Sequence, residues 1–498
     1  MTEQQPELYQ QASNDISPED QAKREEYRRR LAEYLKDPMF RAIEGFPIGT
    51  DEDILALSDP PYYTACPNPF LPEIITEWQH EREETRKKLG LNEDRYQREP
   101  FAADVSEGKN DPIYNAHSYH TKVPHKAIMR YILHYTDPGD IVFDGFCGTG
   151  MTGVAAQLCG DKKTIESLGY HVDEKGVIWE GTKAISRLGT RKVVLNDLSP
   201  AATFIAYNYN TPVDATVFER EARRILNEVE QECGWMYETW HPNSDAPNRV
   251  KGKINYTVWS DVFVCPTCGH EMVFWNVAVD QEKGEIGETW SCPDCATLLA
   301  KSAKKDGGAL RAERAWETYY DRELKQTIRQ AKQVPVLINY IIGKKRYIKK
   351  LDVLDLELIR KIGETEIPYR IPTNELPMGF NTQQPKISHG LVHTHHFYSR
   401  RNLWVLASLK SKSQKLSGFN SSRWNDVFQS ICGTLSSKLT RYNMGKRGNG
   451  PVSGTLYVAS LNAETNVFSV MGGKISDFLY DSKTINRDSS LIECVSSE

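Results

Sequence analysis

The sequence lacks any apolar run approaching the about eighteen residues that a helix needs to cross a bilayer, so a membrane span is not expected. Its opening stretch, MTEQQPELYQQASNDISPED, is polar and acidic and has no apolar core. A secretory leader is therefore not expected, and the cytoplasm is the expected compartment. Neither sign of charge dominates, with a formal net charge of -5 and a pI of about 6.2. That balance neither demands nor excludes nucleic acid, so phosphate contacts would have to come from local basic patches. No internal repeat or long low-complexity tract interrupts the chain. What is present is 39% hydrophobic and 26% charged residues, the composition of a globular protein. At 498 residues the chain is too long for one core, and about two to four domains are expected.

Four regions emerge from the patterning. Residues 1–50 are polar, and PEDQAKREEYRRRLAEYLKDP reads as a solvated helix packed on the next domain. Residues 51–215 alternate strand-like and helix-like runs. DILALS reads as a buried strand, AIMRYILHYT as a helix, IVFDGF as a strand, TGVAAQLCG as a helix, RKVVLND as a strand and SPAATFIAYNYN as a helix. A polar insert occupies about 161–188. This alternation predicts an α/β domain on a doubly wound parallel sheet. Residues 216–345 hold the helix FEREARRILNEVEQE, a cysteine module and the charged, helix-like run RAERAWETYYDRELKQTIRQA. Residues 346–498 read as a further mixed α/β region with a short strand, GTLYVAS.

The strongest local signal is DGFCGTGMTG, beginning at Asp144. Asp144 and Phe146 end an apolar strand, Gly148 and Gly150 form a tight loop, and a helix begins at once. Glycines let a backbone approach a ligand closely, and a helix N-terminus favours a carboxylate. A glycine turn alone is weak evidence, because it also serves dinucleotides or plain packing. The second strand sharpens it: RKVVLND ends in Asp197, which would face the loop and accept hydrogen bonds from a ribose diol. Together they predict a bound adenosyl cofactor.

This loop resembles that of the DNA amino-methyltransferases, which reads D-x-F-x-G-x-G-T, with Gly145 here in place of the usual proline. Upstream, HSYHTKVPHKAIMRYILHYTDPGD is similar to the segment those enzymes carry before the loop. Val123 separates Lys122 from Pro124 where the family has Lys-Pro. The resemblance covers about residues 115–210 and implies a Rossmann-like fold and S-adenosylmethionine as cofactor. It implies that Thr121 and Lys122 meet the methionine part, and that Asp144, Phe146, Gly148, Gly150 and Asp197 complete the cofactor site. It also directs attention to Asp59-Pro60-Pro61-Tyr62 in LSDPPYYTACPNPF. An exocyclic base amine is a poor nucleophile because its lone pair is delocalised into the ring. Asp59 and the Pro60 carbonyl would accept its two N–H hydrogens and free the lone pair for in-line attack. Pro61 stiffens the turn, and Tyr62 would stack on a flipped base. The bland alternative is a mere turn, since Asp-Pro and Pro-Pro punctuate many loops. Attack by a thiolate on cytosine carbon five is not expected, because Cys66 precedes Pro67 rather than following a proline.

Motif order poses a difficulty. Only about fifty residues separate Tyr62 from His117, short for the strands such enzymes fit between the two motifs. The chain would then be the front part of a larger enzyme, with the rest on another chain or lost.

Cys265-Pro-Thr-Cys268 and Cys292-Pro-Asp-Cys295 are two CPxC knuckles, with Phe274, Trp275 and Trp290 between them. In a reducing compartment that spacing predicts a structural zinc ribbon rather than disulfides, a redox pair being the lesser reading. Lys344, Lys345, Arg346, Lys349 and Lys350 form one basic patch, and Arg441, Lys446 and Arg447 another. Each is either a phosphate contact or a solvated face. His393, His395 and His396 would bind metal or serve a packed or solvated role, and the latter is favoured because no cysteines match them.

The expected function is S-adenosylmethionine-dependent methylation of adenine or cytosine amines in double-stranded DNA, in restriction–modification or phage defence. A cognate nuclease or a completing chain are expected partners, and no membrane is. The alternatives are a cofactor-binding, zinc-containing DNA-binding subunit inactive alone, and an RNA methyltransferase.

Overall fold

The computed structural model describes residues 17–44, 46–91, 97–119, 122–242, 250–302, 308–416, 418–433, 435–444, 448–452, 454–484 and 492–496. They fall into two units. The first comprises Met1–Arg220, Leu416–Asp426 and Ser476–Glu498, and the second Glu221–Lys415 and Val427–Ile475.

The first unit is built on a parallel sheet of four strands in the order Tyr63–Thr64, Ile492–Ser496, Lys192–Asp197, Ile141–Asp144. Lys192–Asp197 pairs on both sides, and its Val193, Val194 and Leu195 are buried. An unbroken apolar run is what a strand covered on both faces requires. Val194 packs with Ile74 and Trp78 of the helix Leu71–Leu89. Val193 and Leu195 face the other way by strand alternation. Ile141–Asp144 leads through the glycine loop into the helix Met151–Leu158, which packs on the helix Pro200–Asn210. The polar insert forms the helix Lys162–Ser167 and a separate antiparallel sheet of His171–Val172, Val177–Glu180 and Lys183–Arg187.

The second unit is organised by one long strand, Lys251–Val264. It pairs antiparallel with Gln333–Ile342, Leu461–Thr465, Glu238–Trp240, Glu271–Val273 and Glu313–Arg314. Asp261, at its buried centre, takes Arg314 Nε and Gln333 Nε2, each at 2.9 Å. Burial alone would raise its pKa, but hydrogen bonding and charge from His389, with help from Arg314, bring it down to about 2.

Three sequence expectations are corrected. DILALS is not a strand but lies largely in the helix Asp51–Leu57. Thr50 caps that helix by accepting from Asp53 N, and Asp51, Glu52 and Asp53 sit in its first turn, where acids complement the helix dipole. The run RAERAWETYYDRELKQTIRQA is not helical. Trp316–Asp321 and Gln326–Ala331 form a hairpin, closed by Asp321 accepting the backbone N–H groups of Glu323 and Leu324. Its charges suggested a helix, but WETYYD and QTIRQA carry the aromatic and β-branched residues that favour pairing. GTLYVAS has no strand, and the next residues, Leu461–Thr465, pair instead. The helices expected at AIMRYILHYT, TGVAAQLCG, SPAATFIAYNYN and FEREARRILNEVEQE are present as His125–Tyr135, Met151–Leu158, Pro200–Asn210 and Ala215–Cys233.

Gly150 fixes how closely the loop helix approaches its neighbour. Its φ is +71°, and an added Cβ would stand 2.7 Å from Ala206 Cβ and 2.9 Å from Asn210 Nδ2. Gly150→Ala is expected to destabilise the fold by roughly 3 kcal/mol, combining left-handed strain with overpacking. Urea unfolding checks this, and a change below about 0.5 kcal/mol would contradict the packing account.

Candidate functional site

The glycine loop is held from below by the neighbouring strand. Asp197 Oδ2 accepts Gly148 N at 3.0 Å, and its Oδ1 accepts Ser199 N at 2.9 Å. Cys147 N donates to Asn196 O, and Asn196 Nδ2 donates to Gly145 O. Asp144 accepts Phe146 N at 3.2 Å and the Thr152 hydroxyl. A carboxylate has about four lone-pair sites, so Asp197 can still accept from a ribose diol while it braces the loop. Two observations fit a ligand here. Thr149 Oγ1 is buried within the loop and has no hydrogen-bond partner among the described residues. Phe146 is 82% exposed at the loop's edge, an apolar ring without a protein cover. The ring of Tyr119, which no motif had flagged, lies against Gly148. Burial, first of all, raises its phenol pKa. The Cys147 thiol is likewise raised by burial and by Asp144 and Asp197, which leaves it no thiolate character.

Lys122 is turned elsewhere. Its Nζ donates to Tyr114 O, to His117 O at 3.0 Å and to Tyr209 Oη at 3.2 Å, the work of a packed structural lysine. Thr121 lies outside the described residues.

Asp59 sits in a different setting. It forms an ion pair with Arg24 and accepts the Tyr207 hydroxyl at 2.9 Å. Burial, followed by the Asp59 charge, raises the Tyr207 pKa well above 10, so the phenol stays a donor. Burial opposes the Arg24 charge, and Asp59 more than offsets it. Pro60, Pro61 and Tyr62 are buried. The Arg24 guanidinium lies 4.8 Å from the Tyr62 ring centroid, so that ring is covered by protein. A cavity of about 340 Å³ opens beside Asp59, with Arg28, Ser58, Phe204 and Tyr207 in its wall. Burial pushes the Cys66 thiol up to about 12, in keeping with a chemistry that needs no thiolate.

The sheet does not bring the two motifs together. Asp59 pairs with Tyr63 on the outer side of one edge strand, and the glycine loop comes after the other edge strand, Ile141–Asp144. Three strand spacings, roughly 14 Å, separate those edges. Arg24 and Tyr207 escaped the sequence reading for physical reasons. Arg24 lies in a helix whose alternating charges suggested solvent, and Tyr207 lies in a helix that carries no motif of its own.

Residues 18–179 match the family model of the DNA methylases, the N6/N4 methyltransferases. This segment is similar to the DNA methylases. The match contains both the Asp59 turn and the glycine loop, and it ends before Asp197 and the cysteine module. No curated protein and no solved structure matches the chain. The match points to methyl transfer to a DNA amine, a reaction for which that family uses S-adenosylmethionine as donor. The buried Thr149 hydroxyl, the uncovered Phe146 ring and the remaining lone pairs of Asp197 fit that donor.

Away from the methylase segment, the four cysteine sulfurs converge. Cys265 Sγ is 3.6 Å from Cys295 Sγ, and Cys268 Sγ is 3.6 Å from Cys292 Sγ. Bonds of about 2.3 Å to a tetrahedral zinc ion put sulfurs about 3.8 Å apart, so the set fits zinc with no open position. Each knuckle closes through a left-handed residue, Gly269 at φ +77° and Ala296 at φ +60°. Phe263, Phe274, Trp275 and Trp290 build the core beneath. Of the first basic patch, Lys344, Lys345, Arg346 and Lys350 are exposed, but Lys349 is not a phosphate contact. Its buried ammonium binds Trp240 O, Asp352 and Asp355. Arg441 is exposed, and Lys446 and Arg447 lie outside the described residues.

Elemental analysis of protein purified without chelator is expected to find one zinc held by these cysteines, and Cys292→Ser should lose it and lower the melting temperature. Protein without zinc, or a variant that keeps it, would refute the assignment. Ala296→Gly should relieve the left-handed strain and stabilise the module by about 1 kcal/mol.

Proposed function

We propose that this protein is an S-adenosylmethionine-dependent DNA amino-methyltransferase whose donor site is the loop Gly145–Gly150 with Asp197. One observation carries the reading. A glycine loop at the end of a parallel strand is braced by a carboxylate from the adjacent strand, inside a chain whose front segment is similar to the DNA methylases. Bound there, the donor supplies an electrophilic methyl group. The chain's own part is to seat it: Asp197 accepts from the ribose hydroxyls, Phe146 and Tyr119 cover the apolar faces, and Thr149 gains the partner it lacks. Asp rather than Ser before Pro-Pro favours adenine as the acceptor, and the family resemblance favours restriction–modification or phage defence.

For the acceptor side, two readings each rest on an observation. In the first, Asp59 holds the target amine, and the cavity beside it takes the flipped base. In the second, the Arg24–Asp59–Tyr207 cluster is structural, and the acceptor groups arrive on another polypeptide beside Ile141–Asp144. The sheet order supports the second, because in-line transfer needs reacting atoms about 3–3.5 Å apart and Asp59 stands on the far edge. So does the exposure of Phe143 on that strand, 69%, which is unusual in a parallel sheet.

Calorimetry and methyl-transfer assays separate these. Asp197→Ala is expected to weaken S-adenosylmethionine binding at least about tenfold. Asp59→Asn should leave that binding unchanged. With unmethylated DNA and nucleoside mass spectrometry, transfer by the chain alone that disappears in Asp59→Asn would establish the first reading. Intact donor binding with no transfer would establish the second. Failure of the wild-type chain to bind the donor would refute the proposed function.

A further inference from the structure

The second unit holds a buried cluster that the methylase reading does not use. Asp321 Oδ2 is 2.9 Å from His395 Nε2 and 3.1 Å from His396 Nε2. The three side chains are 4%, 5% and 4% exposed. They form part of the wall of a cavity of about 380 Å³ that Tyr320, Arg322, Glu464 and Lys438 also line. The cluster joins the hairpin turn after Trp316–Asp321 to the short 3-10 turn Thr394–Phe397.

We propose that Asp321, His395 and His396 form a second metal centre, one that takes a divalent first-row transition ion by two imidazoles and one carboxylate and leaves positions for water on the cavity side. Two observations carry this. First, the donor atoms converge at the right spacing. Ligands about 2.1 Å from an ion in cis octahedral positions stand about 3.0 Å apart, which matches the two separations. Second, the carboxylate is pre-oriented: Oδ1 is occupied by the Glu323 and Leu324 N–H groups, at 3.0 Å each, and Oδ2 is presented to both histidines. The donor set is hard to intermediate, N and O only, so it discriminates from the four thiolates of the cysteine module.

The competing arrangement is a purely hydrogen-bonded staple. His396 Nδ1 faces the backbone N–H groups of Val392 and His393 at 3.2 and 3.3 Å, so without metal its Nε2 carries the hydrogen and donates to Asp321. Ligation through Nε2 moves that hydrogen to Nδ1 and opens both of these long contacts. Metal binding must therefore disturb the amides of Val392 and His393, a signature that a staple does not give.

The test uses the full chain with its cysteine module loaded with zinc and titrates it with manganese(II), which thiolates bind poorly. Free manganese is followed by electron paramagnetic resonance. One equivalent is expected to bind. Asp321→Asn and His395→Gln should each weaken it by about 10-fold or more, with zinc content unchanged. His393→Gln should bind as the wild type does, because its Nδ1 is bonded to Thr373 O at 2.8 Å and it lies outside the triad. Should either triad variant misfold, wild-type protein labelled in histidine and backbone nitrogen decides. Manganese should broaden the imidazole signals of His395 and His396 most strongly, with the Val392 and His393 amides broadened beside them. Absence of a bound equivalent, binding that survives Asp321→Asn, or broadening centred away from His395 and His396 would overturn the proposal.

Discussion

The methylase unit depends on the pairing of Lys192–Asp197 on both of its sides. That strand fixes Ile141–Asp144 in register, with Asp144 opposite Leu195, and thereby sets the height at which the glycine loop leaves the sheet. The bond from Gly148 N to Asp197 then closes the loop onto the strand's end. Backbone amides need partners when they leave a sheet, and here the partner is the same carboxylate proposed to hold the donor's ribose. Fold and proposed donor site thus share one interaction. The packing of the helix Met151–Leu158 on Pro200–Asn210 depends on it in turn, with Asn210 Nδ2 bonded to Gly150 O at 3.1 Å.

Buried charge is handled in the same way across the chain, by surrounding a carboxylate with several donors. Asp59 has Arg24 and Tyr207, Asp261 has Arg314 and Gln333, and Asp321 has two histidines and two backbone amides. Such clusters are costly to break and commit the chain to one arrangement of side chains. They also mean that an acidic residue in a motif can serve the fold, so the presence of Asp59 in a suggestive tetrapeptide does not by itself make it an acceptor group.

In the second unit the Lys251–Val264 strand plays the organising part. The first cysteine knuckle comes directly after it, and the strand's partners carry the chain toward the cavity of the histidine cluster. The cysteine module begins at the end of that strand as a closed shell of thiolates, whereas the histidine cluster lies at the turn of the separate hairpin Trp316–Ala331, beside open space.

Local chemistry was legible in the sequence. The glycine loop, the flanking strands, the helices from AIMRYILHYT to FEREARRILNEVEQE and the four cysteines all announce themselves through periodicity, turn residues or spacing. Such signals arise between residues close in the chain. DILALS misled because four apolar positions in six suit a strand or a helix, and the Thr50 cap decides between them. The hairpin at Trp316–Ala331 misled because charge is common to exposed helices and strands. What the sequence alone determined is a glycine loop that resembles the methylase donor loop and two cysteine pairs at metal-ligand spacing. Only the tertiary structure decided that Asp59 and that loop stand on opposite edges of one sheet, that Lys349 is buried, and that Asp321 meets His395 and His396. Those facts depend on strand order and on contacts between residues far apart in the chain, which local pattern does not encode.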